Sequence, residues 1–118
     1  MSEQVETVTN RNPERRATVV QTCAEFTALH TVTGGPIFAT VEVRYVPGSR
    51  CIETVSLRRY LASYRGDSVT CEEATNRILD DLVAACDPLE ITVSARFGVR
   101  GGIETEVTVT HGRESGTG

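Results

Sequence analysis

The residues best suited to chemistry lie at Thr70-Cys71-Glu72-Glu73, where a helix is expected to begin. Thr70 and Glu73 have the spacing of a capping box, in which the hydroxyl accepts from a first-turn amide and the carboxylate accepts from the Thr70 N–H. Glu72 is then free, close to the positive end of the helix dipole. Its two acceptor oxygens suit the N–H/NH₂ edge of a guanine-like or pterin-like ring. We therefore predict that Glu72 anchors such a ligand; the alternative is that it only complements the helix charge.

The composition limits both the class of protein and the class of partner. The 118 residues are 39% hydrophobic, which is enough for one domain with its own core. Only 5% are aromatic and Trp is absent, so the core is expected to be aliphatic. A net charge of -4 and a pI of about 5.2 provide no basic face for nucleic acid or an anionic membrane. The expected partner is a small molecule, with no nucleic acid and no membrane.

The N-terminal sequence and the cysteines bear on the compartment. Residues 1–16 contain no apolar run typical of a signal peptide, and no segment is long and apolar enough to span a bilayer. We therefore expect a cytoplasmic protein, in which thiols stay reduced. The four cysteines show neither CxxC pairing nor zinc-ribbon spacing, and Cys86 is typical of a small buried residue.

Strands are predicted where β-branched residues cluster or where apolar and polar residues alternate. Four segments have such a pattern: residues 17–22, 38–45, 91–95 and 104–110. Pro47-Gly48 ends the second strand, and Arg100-Gly101-Gly102 joins the last two in a tight turn. Residues 25–36, between the first two strands, have the composition of a long loop, which in so compact a chain is a candidate functional site.

Two apolar stripes with helical spacing lie between the second and third strands. The first stripe consists of Leu57, Tyr60, Leu61 and Tyr64. The second consists of Ala74, Ile78, Leu79, Leu82, Val83 and Cys86. We expect Gly66 to end the first helix in a left-handed conformation and Asp87-Pro88 to end the second.

The element order ββααββ predicts an α+β fold, in which two helices cover one face of a four-stranded antiparallel sheet. Closure of several copies into a ring would remove the unpaired edge strands, so we predict an oligomeric β-barrel. Residues 15–112 would form this single domain, with a flexible arm over residues 1–14 and a disordered tail over residues 113–118.

From Cys23 to about His111, the chain resembles the tunnelling-fold (T-fold) family of 7-cyano-7-deazaguanine reductases, QueF. The matching pieces occur in the family's order: Ala24-Glu25-Phe26-Thr27, Thr33-Gly34 with Pro36 and Phe38-Ala39-Thr40, Glu53 with Ser56-Leu57 and Tyr60, Cys71-Glu72, Asp81-Leu82, Asp87-Pro88, and Phe97 with Arg100-Gly101-Gly102-Ile103. That family makes a queuosine precursor by NADPH-dependent reduction of a nitrile. The resemblance implies the T-fold and a homo-oligomer with active sites at subunit interfaces.

The resemblance also implies a set of substrate-binding residues. Glu72 aligns with the carboxylate that binds the guanine-like edge of the substrate, and Phe26 belongs to a matching motif near the same pocket. Glu53 is a retained acid near that pocket, where it would contact the substrate or simply cap a helix. Arg100 would contact an anionic group of the ligand from a neighbouring subunit, or be a solvated turn residue.

Four positions depart from the family pattern. His30 stands where the reductases have the Cys that attacks the nitrile to form a thioimide, and Ile37 stands where they have a proton-donating Asp. Cys71 replaces a His, and Val55 replaces the Lys of a Glu-Ser-Lys-Ser motif implicated in NADPH binding. Thioimide formation needs a nucleophile, and hydride transfer needs a bound dinucleotide. We therefore expect no NADPH and no nitrile reduction by the family's route.

Compared with the family pattern, Cys and His have exchanged positions in this chain, with His at position 30 and Cys at position 71. We predict that both residues are catalytic. If the folds superimpose, the two side chains face one pocket. A thiol in the first turn of a helix has a lowered pKa, so Cys71 would be a relocated nucleophile. Alternatively, His30 alone would be a general acid or base on a purine or pterin. The simpler interpretation is a solvent-facing His30 and a structural Cys71.

Cysteine and histidine are the residue types that bind zinc most readily. GTP cyclohydrolases of the same broad T-fold also use this metal. The four residues of the right type are Cys23, His30, Cys71 and His111, and their spacing matches no compact ligand motif. No metal and no cofactor are therefore predicted.

Three functions follow from these observations. The first is a divergent QueF-like enzyme that binds a 7-deazaguanine, purine or pterin through Glu72, with non-redox acid/base or nucleophilic chemistry. The second is a non-catalytic T-fold binding or partner subunit that pairs with a second T-fold chain. The third is NADPH-dependent nitrile reduction with an altered set of residues.

Overall fold

The computed structural model describes residues 4–112, so the predicted tail over residues 113–118 lies outside the described residues. Its centre is a four-stranded antiparallel sheet in the order β2-β3-β5-β6. The strands are β1 (Thr7–Thr9), β2 (Val19–Leu29), β3 (Pro36–Val46), β4 (Arg50–Ile52), β5 (Glu90–Arg100) and β6 (Ile103–Gly112). Two helices, α1 (Thr54–Ala62) and α2 (Cys71–Cys86), lie between β4 and β5. The predicted α+β order of the main sheet and helices is confirmed.

The sheet has one apolar and one polar face because its side chains alternate. On β3, the side chains that face the helices are almost completely buried: Ile37, Ala39, Val41, Val43 and Tyr45. On the opposite face, the neighbouring strands pair hydroxyl groups, as in the 3.2 Å contact between Thr92 and Thr110. This alternation fixes which side chains can belong to the core.

The segment after residue 22 is strand and not the predicted loop. β2 continues to Leu29, with a register shift between Cys23, which pairs with Val41, and Phe26, which pairs with Ala39. One extra residue on β2 therefore shifts the alternation, so that Phe26 and Ala28 face the core. Because the bulge breaks the period-two pattern, the sequence resembles a loop. The actual loop covers only residues 30–35.

Both predicted apolar stripes are buried against the sheet. Leu57, Tyr60, Leu61 and Tyr64 form the first, and Val83 is the one half-buried member of the second. Asp87 ends α2 in the left-handed conformation, with a φ of 46°. The prediction for Gly66 is wrong: α1 is followed by a 3₁₀ turn over Ser63–Gly66, and Gly66 is not among the residues with positive φ.

The N-terminal segment differs from the predicted flexible arm. Val5 is buried, and β1 pairs with β4 in antiparallel register. The Glu53 N–H donates to the Glu6 carbonyl at 2.9 Å, and the Asn10 N–H donates to the Ser49 carbonyl at the same distance. Because these partners are about forty residues or more away in sequence, local composition does not indicate them.

A buried network of hydroxyl groups joins the two helices. The Tyr60 hydroxyl lies 2.7 Å from the Tyr64 hydroxyl and donates to the Asp81 carboxylate at 2.5 Å. The Tyr64 ring packs on Phe26, with ring centroids 5.2 Å apart, and Phe26 in turn packs edge-on against Phe97. This chain of contacts connects the helix pair to the end of β5.

No helix among residues 4–112 is long and apolar enough to cross a membrane.

Candidate functional site

A cavity of about 280 Å³ lies where the end of β2, the first turn of α2 and the β5–β6 hairpin meet. Its lining residues are His30, Ile37, Phe38, Cys71, Phe97, Gly98, Val99, Ile103 and Thr105. His30 and Cys71, the two predicted catalytic residues, therefore line the same cavity. Ile37 lines it as well. The fold brings these positions together because β2 ends beside the start of α2, where Leu29 bridges to Ser68.

His30 is half-buried and is held by its own loop. Its Nδ1 accepts hydrogen bonds from the backbone N–H of Val32 at 3.1 Å and of Thr33 at 3.3 Å. The His30 N–H donates to the Gly35 carbonyl at 2.7 Å, and the Gly34 N–H donates to the His30 carbonyl at 2.9 Å. A nitrogen that accepts two N–H groups carries no proton, so Nε2 is the ring nitrogen left for a ligand.

Cys71 is the first residue of α2 and is half-buried. Burial raises the pKa of its thiol, and the neighbouring Glu72 carboxylate raises it further. The predicted lowering of this pKa by the helix dipole is therefore wrong, because desolvation and a like charge both disfavour the thiolate. Cys71 is a protonated thiol at neutral pH, which makes it a weak nucleophile until it loses its proton.

Glu72 lies beside the cavity and not in its lining. Its side chain is exposed and makes no hydrogen bond or ion pair with any residue that the structure describes. The predicted capping box is confirmed: the Glu73 N–H donates to Thr70 Oγ1 and the Thr70 N–H donates to Glu73 Oε1, each at 3.0 Å. No described residue therefore engages the Glu72 carboxylate, and Glu72 follows Cys71, which lines the cavity.

The other predicted binding residues lie outside this cavity. Glu53 caps α1, its carboxylate accepting from the N–H groups of Val55 at 2.9 Å and Ser56 at 2.7 Å. These bonds lower the pKa of Glu53. Phe26 is 1% exposed and packs in the core, so in the single chain it supports the cavity wall through Phe97 and does not face a ligand. Arg100 ends β5, and its side chain lies outside the described part of the chain.

The residues that sequence reasoning missed are the apolar walls of the cavity. Phe38, Val99 and Ile103 are 60%, 65% and 68% exposed, which is unusual for side chains of this size. Val99 and Ile103 flank the Arg100-Gly101-Gly102 turn, where polar residues are expected. Large apolar residues beside a glycine turn were the available signal for a surface that contacts a ligand or a partner.

The cysteines and histidines considered for zinc are not gathered at one place. Cys23 lines a different cavity, between β2 and α1, and His111 lies on β6 opposite Ile91. Among residues 4–112 there is no group of three or more His, Cys, Asp or Glu side chains able to hold a metal ion.

Comparison with known proteins identifies the family. Residues 36–116 match the family model described as QueF-like protein. The chain belongs to the QueF-like family. Two of its relatives are named NADPH-dependent 7-cyano-7-deazaguanine reductase. The protein of Anaeromyxobacter sp. (strain K) is 48% identical, and the match covers 94% of this chain and 91% of the relative. The protein of Magnetococcus marinus is 43% identical, and the match covers 96% of this chain and 88% of the relative.

The fold of this QueF-like chain also matches a solved structure. The apo crystal structure of the archaeosine synthase QueF-Like aligns with a TM-score of 0.77, covering 82% of this chain and 95% of that one, at 22% sequence identity. At this identity the match supports the fold. The family model and the named relatives confirm the predicted resemblance to the QueF family, whereas the oligomeric barrel stays a prediction.

Proposed function

We propose that this QueF-like chain binds a 7-deazaguanine-type heterocycle in the cavity between His30 and Cys71, with the Glu72 carboxylate on the N–H/NH₂ edge of the ring. The observation that carries the proposal is that His30, Ile37 and Cys71 line one cavity. The resemblance implies that this chain departs from the reductases at all three positions. A volume of about 280 Å³ lies at the small end of the range of ligand pockets, roughly 300–1,000 Å³, and suits a ligand of one bicyclic ring.

The chemistry that this cavity supports is non-redox. His30 offers an N–H donor at Nε2, able to polarise an acceptor atom of the ligand, and Cys71 offers a thiol beside it. If the ligand carries a nitrile, addition of the thiol forms one S–C bond while the thiol proton goes to nitrogen, so no electron donor is consumed. The raised pKa of Cys71 makes this addition slow at neutral pH.

NADPH-dependent nitrile reduction is the second candidate, because relatives up to 48% identical carry that activity in their names. NADPH supplies hydride when bound, and its 2′-phosphate needs a cation. The residues at the motif do not fit this requirement. The Glu53 carboxylate and the buried Ser56 are both engaged at the start of α1, and Val55 is an exposed apolar side chain. None of the four residues from Glu53 to Ser56 carries a positive charge.

A thermal-shift panel of guanine, 7-cyano-7-deazaguanine, 7-aminomethyl-7-deazaguanine, neopterin, GTP and NADPH tests the proposal on the wild type and on Glu72→Gln. A ligand at about 100 times its Kd should stabilise the chain by roughly 2.7 kcal/mol. We expect a 7-deazaguanine to do so, and Glu72→Gln to remove most of the effect because it replaces one acceptor of the pair by a donor. Glu73→Gln, which alters only the capping box, is the matched control and should keep the ligand shift.

The panel also separates the alternatives. Stabilisation by NADPH would favour the reductase, and stabilisation by none of the heterocycles would contradict the proposal. A shift that survives Glu72→Gln unchanged would contradict the role of Glu72 alone.

We further propose that the chain assembles with copies of itself, so that each cavity is completed at a subunit interface. Supporting this are the exposed apolar residues Phe38, Val99 and Ile103 around the cavity and the two unpaired edge strands, β2 and β6. Native mass spectrometry should show a homogeneous homo-oligomer, and Ile103→Glu should weaken it. Val55→Glu is the comparison, because Val55 is equally an exposed apolar residue but lies on α1, outside the cavity and both edge strands. Co-purification of a second T-fold chain would instead support the partner-subunit alternative, and a stable monomer would contradict both.

A further inference from the structure

The loop over residues 30–35 fixes the hydrogen-bonding character of His30 without any ligand. The two N–H groups on Nδ1 come from residues two and three positions further along the chain, which is the geometry by which an Asn side chain closes an Asx turn. The loop is closed a second time by backbone bonds from His30 to Gly35 and from Gly34 to His30. Gly34 has a φ of 75°, a conformation that glycine adopts without strain.

A loop bonded in this way holds one tautomer of the neutral imidazole. Nδ1 is committed as an acceptor, so the ring proton lies on Nε2. Protonation of Nδ1 would place three N–H donors against one another and break both loop bonds. His30 therefore presents an N–H donor to the cavity.

The lining residues that the structure describes hold no carboxylate to balance a cation. Besides His30, only Cys71 and Thr105 among them have polar side chains. Glu72 lies outside this lining, and the proposed function assigns it to the N–H/NH₂ edge of the ring, opposite the 7-substituent. An ammonium group beside His30 would lose water and face the Nε2 donor without a counter-charge, which is costly.

We propose that the His30 loop makes the cavity selective for a ligand whose entering group is an uncharged hydrogen-bond acceptor, a nitrile or a carbonyl, and against the corresponding ammonium. This rests on the proposed function, because the ligand must first bind in the cavity. Applied to the 7-deazaguanines, the site should prefer the 7-cyano compound to the 7-aminomethyl compound. His30 is then a specificity-determining residue and not a general base.

Two substitutions separate the two functions of the His30 ring. In His30→Asn, the side-chain oxygen can replace Nδ1 as acceptor for the loop, but the amide is too short to reach the position of Nε2. In His30→Gln, an amide N–H reaches that position, but the oxygen no longer suits the loop. His30→Asn should thus keep thermal stability and lose selectivity, whereas His30→Gln should keep selectivity and lose stability.

Calorimetric titration of the wild type and both variants with the two 7-deazaguanines provides the test. We expect the wild type to bind the 7-cyano compound at least about tenfold more tightly, a preference that falls below about threefold in His30→Asn. Equal binding of both compounds by the wild type, or an unchanged preference in His30→Asn, would overturn the inference while leaving the proposed function intact. Binding of neither compound would overturn the proposed function and the selectivity together.

Nitrogen NMR of the free protein is a second test that does not depend on any ligand. Histidine labelled with ¹⁵N should show a His30 ring whose Nδ1 is unprotonated and whose Nε2 carries the proton. A proton on Nδ1 in the free protein at neutral pH would overturn the inference even if both heterocycles bind.

Discussion

The variant carrying His30→Cys, Ile37→Asp, Val55→Lys and Cys71→His is expected to oxidise NADPH in the presence of 7-cyano-7-deazaguanine, whereas the wild type is not. Three of these positions line one cavity, so the substitutions place a thiol, a carboxylate and an imidazole together. Val55 is 47% exposed on α1, so a lysine there would reach solvent without disturbing the core. One relative named as a reductase is 48% identical to the chain over 111 residues.

The expected gain in nitrile-dependent NADPH oxidation is at least about a hundredfold, the lower end of what a positioned acid or base contributes. The control combines His30→Ala with the other three substitutions. It has the introduced carboxylate, lysine and imidazole but lacks the thiol at position 30. Activity of that control, or activity of the wild type equal to that of the fourfold variant, would contradict the assignment of His30 to the nucleophile position.

Alkaline pH is expected to unfold the domain steeply. All three tyrosines of the chain, Tyr45, Tyr60 and Tyr64, are at most 2% exposed, and burial raises the pKa of each above its ordinary value of 10.0. Asp81, which accepts from the Tyr60 hydroxyl, raises the pKa of Tyr60 further. Above pH 10 the folded state therefore holds protons that the unfolded state has lost, and stability falls as pH rises.

A phenol that stays protonated in the folded state and ionises in the unfolded state removes about 1.4 kcal/mol of stability per pH unit above pH 10. Several such phenols act against an overall stability of about 5–15 kcal/mol, so the free energy of unfolding should fall continuously above pH 10. Urea denaturation between pH 8 and 12 measures this slope, and phenolate absorbance should rise together with unfolding. Cys86, whose pKa burial raises to about 11, acts in the same direction.

The Tyr60→Phe variant identifies the contribution of the network. It should make the slope shallower by about 1.4 kcal/mol per pH unit. At neutral pH it should destabilise the fold by about 1–3 kcal/mol, because the buried Tyr64 hydroxyl loses its partner. A stability that stays flat to pH 12, or phenols that ionise well before unfolding, would show that these hydroxyls reach solvent.

Much of the fold could be predicted because its signals are local. The capping box of Thr70 and Glu73, the buried stripes of both helices and the Arg100-Gly101-Gly102 turn each depend on residues within about one helical turn or one hairpin. For such elements the residue types and their spacing nearly specify the geometry. The family followed from the order of the same short motifs.

The site was predictable only in part. That His30 and Cys71 face one pocket followed from the family alignment, and the structure places both in one cavity. The direction of the Cys71 pKa shift did not follow, because it depends on how deeply the helix start is buried and on the Glu72 charge beside it. The use of the Glu53 carboxylate as a helix cap, and the burial of Phe26, likewise depend on where the sheet and helices meet.

The sequence by itself determined the two helices, the alternating strands and the helix start that carries Glu72. Only the tertiary structure decided the bulge in β2, the pairing of the N-terminal segment with β4, the walls of the cavity and the hydrogen bonds to His30 Nδ1. The physical reason is distance along the chain. Helix caps and apolar periodicity arise between neighbours in sequence, whereas strand register, burial and cavity shape arise between segments that only folding brings into contact.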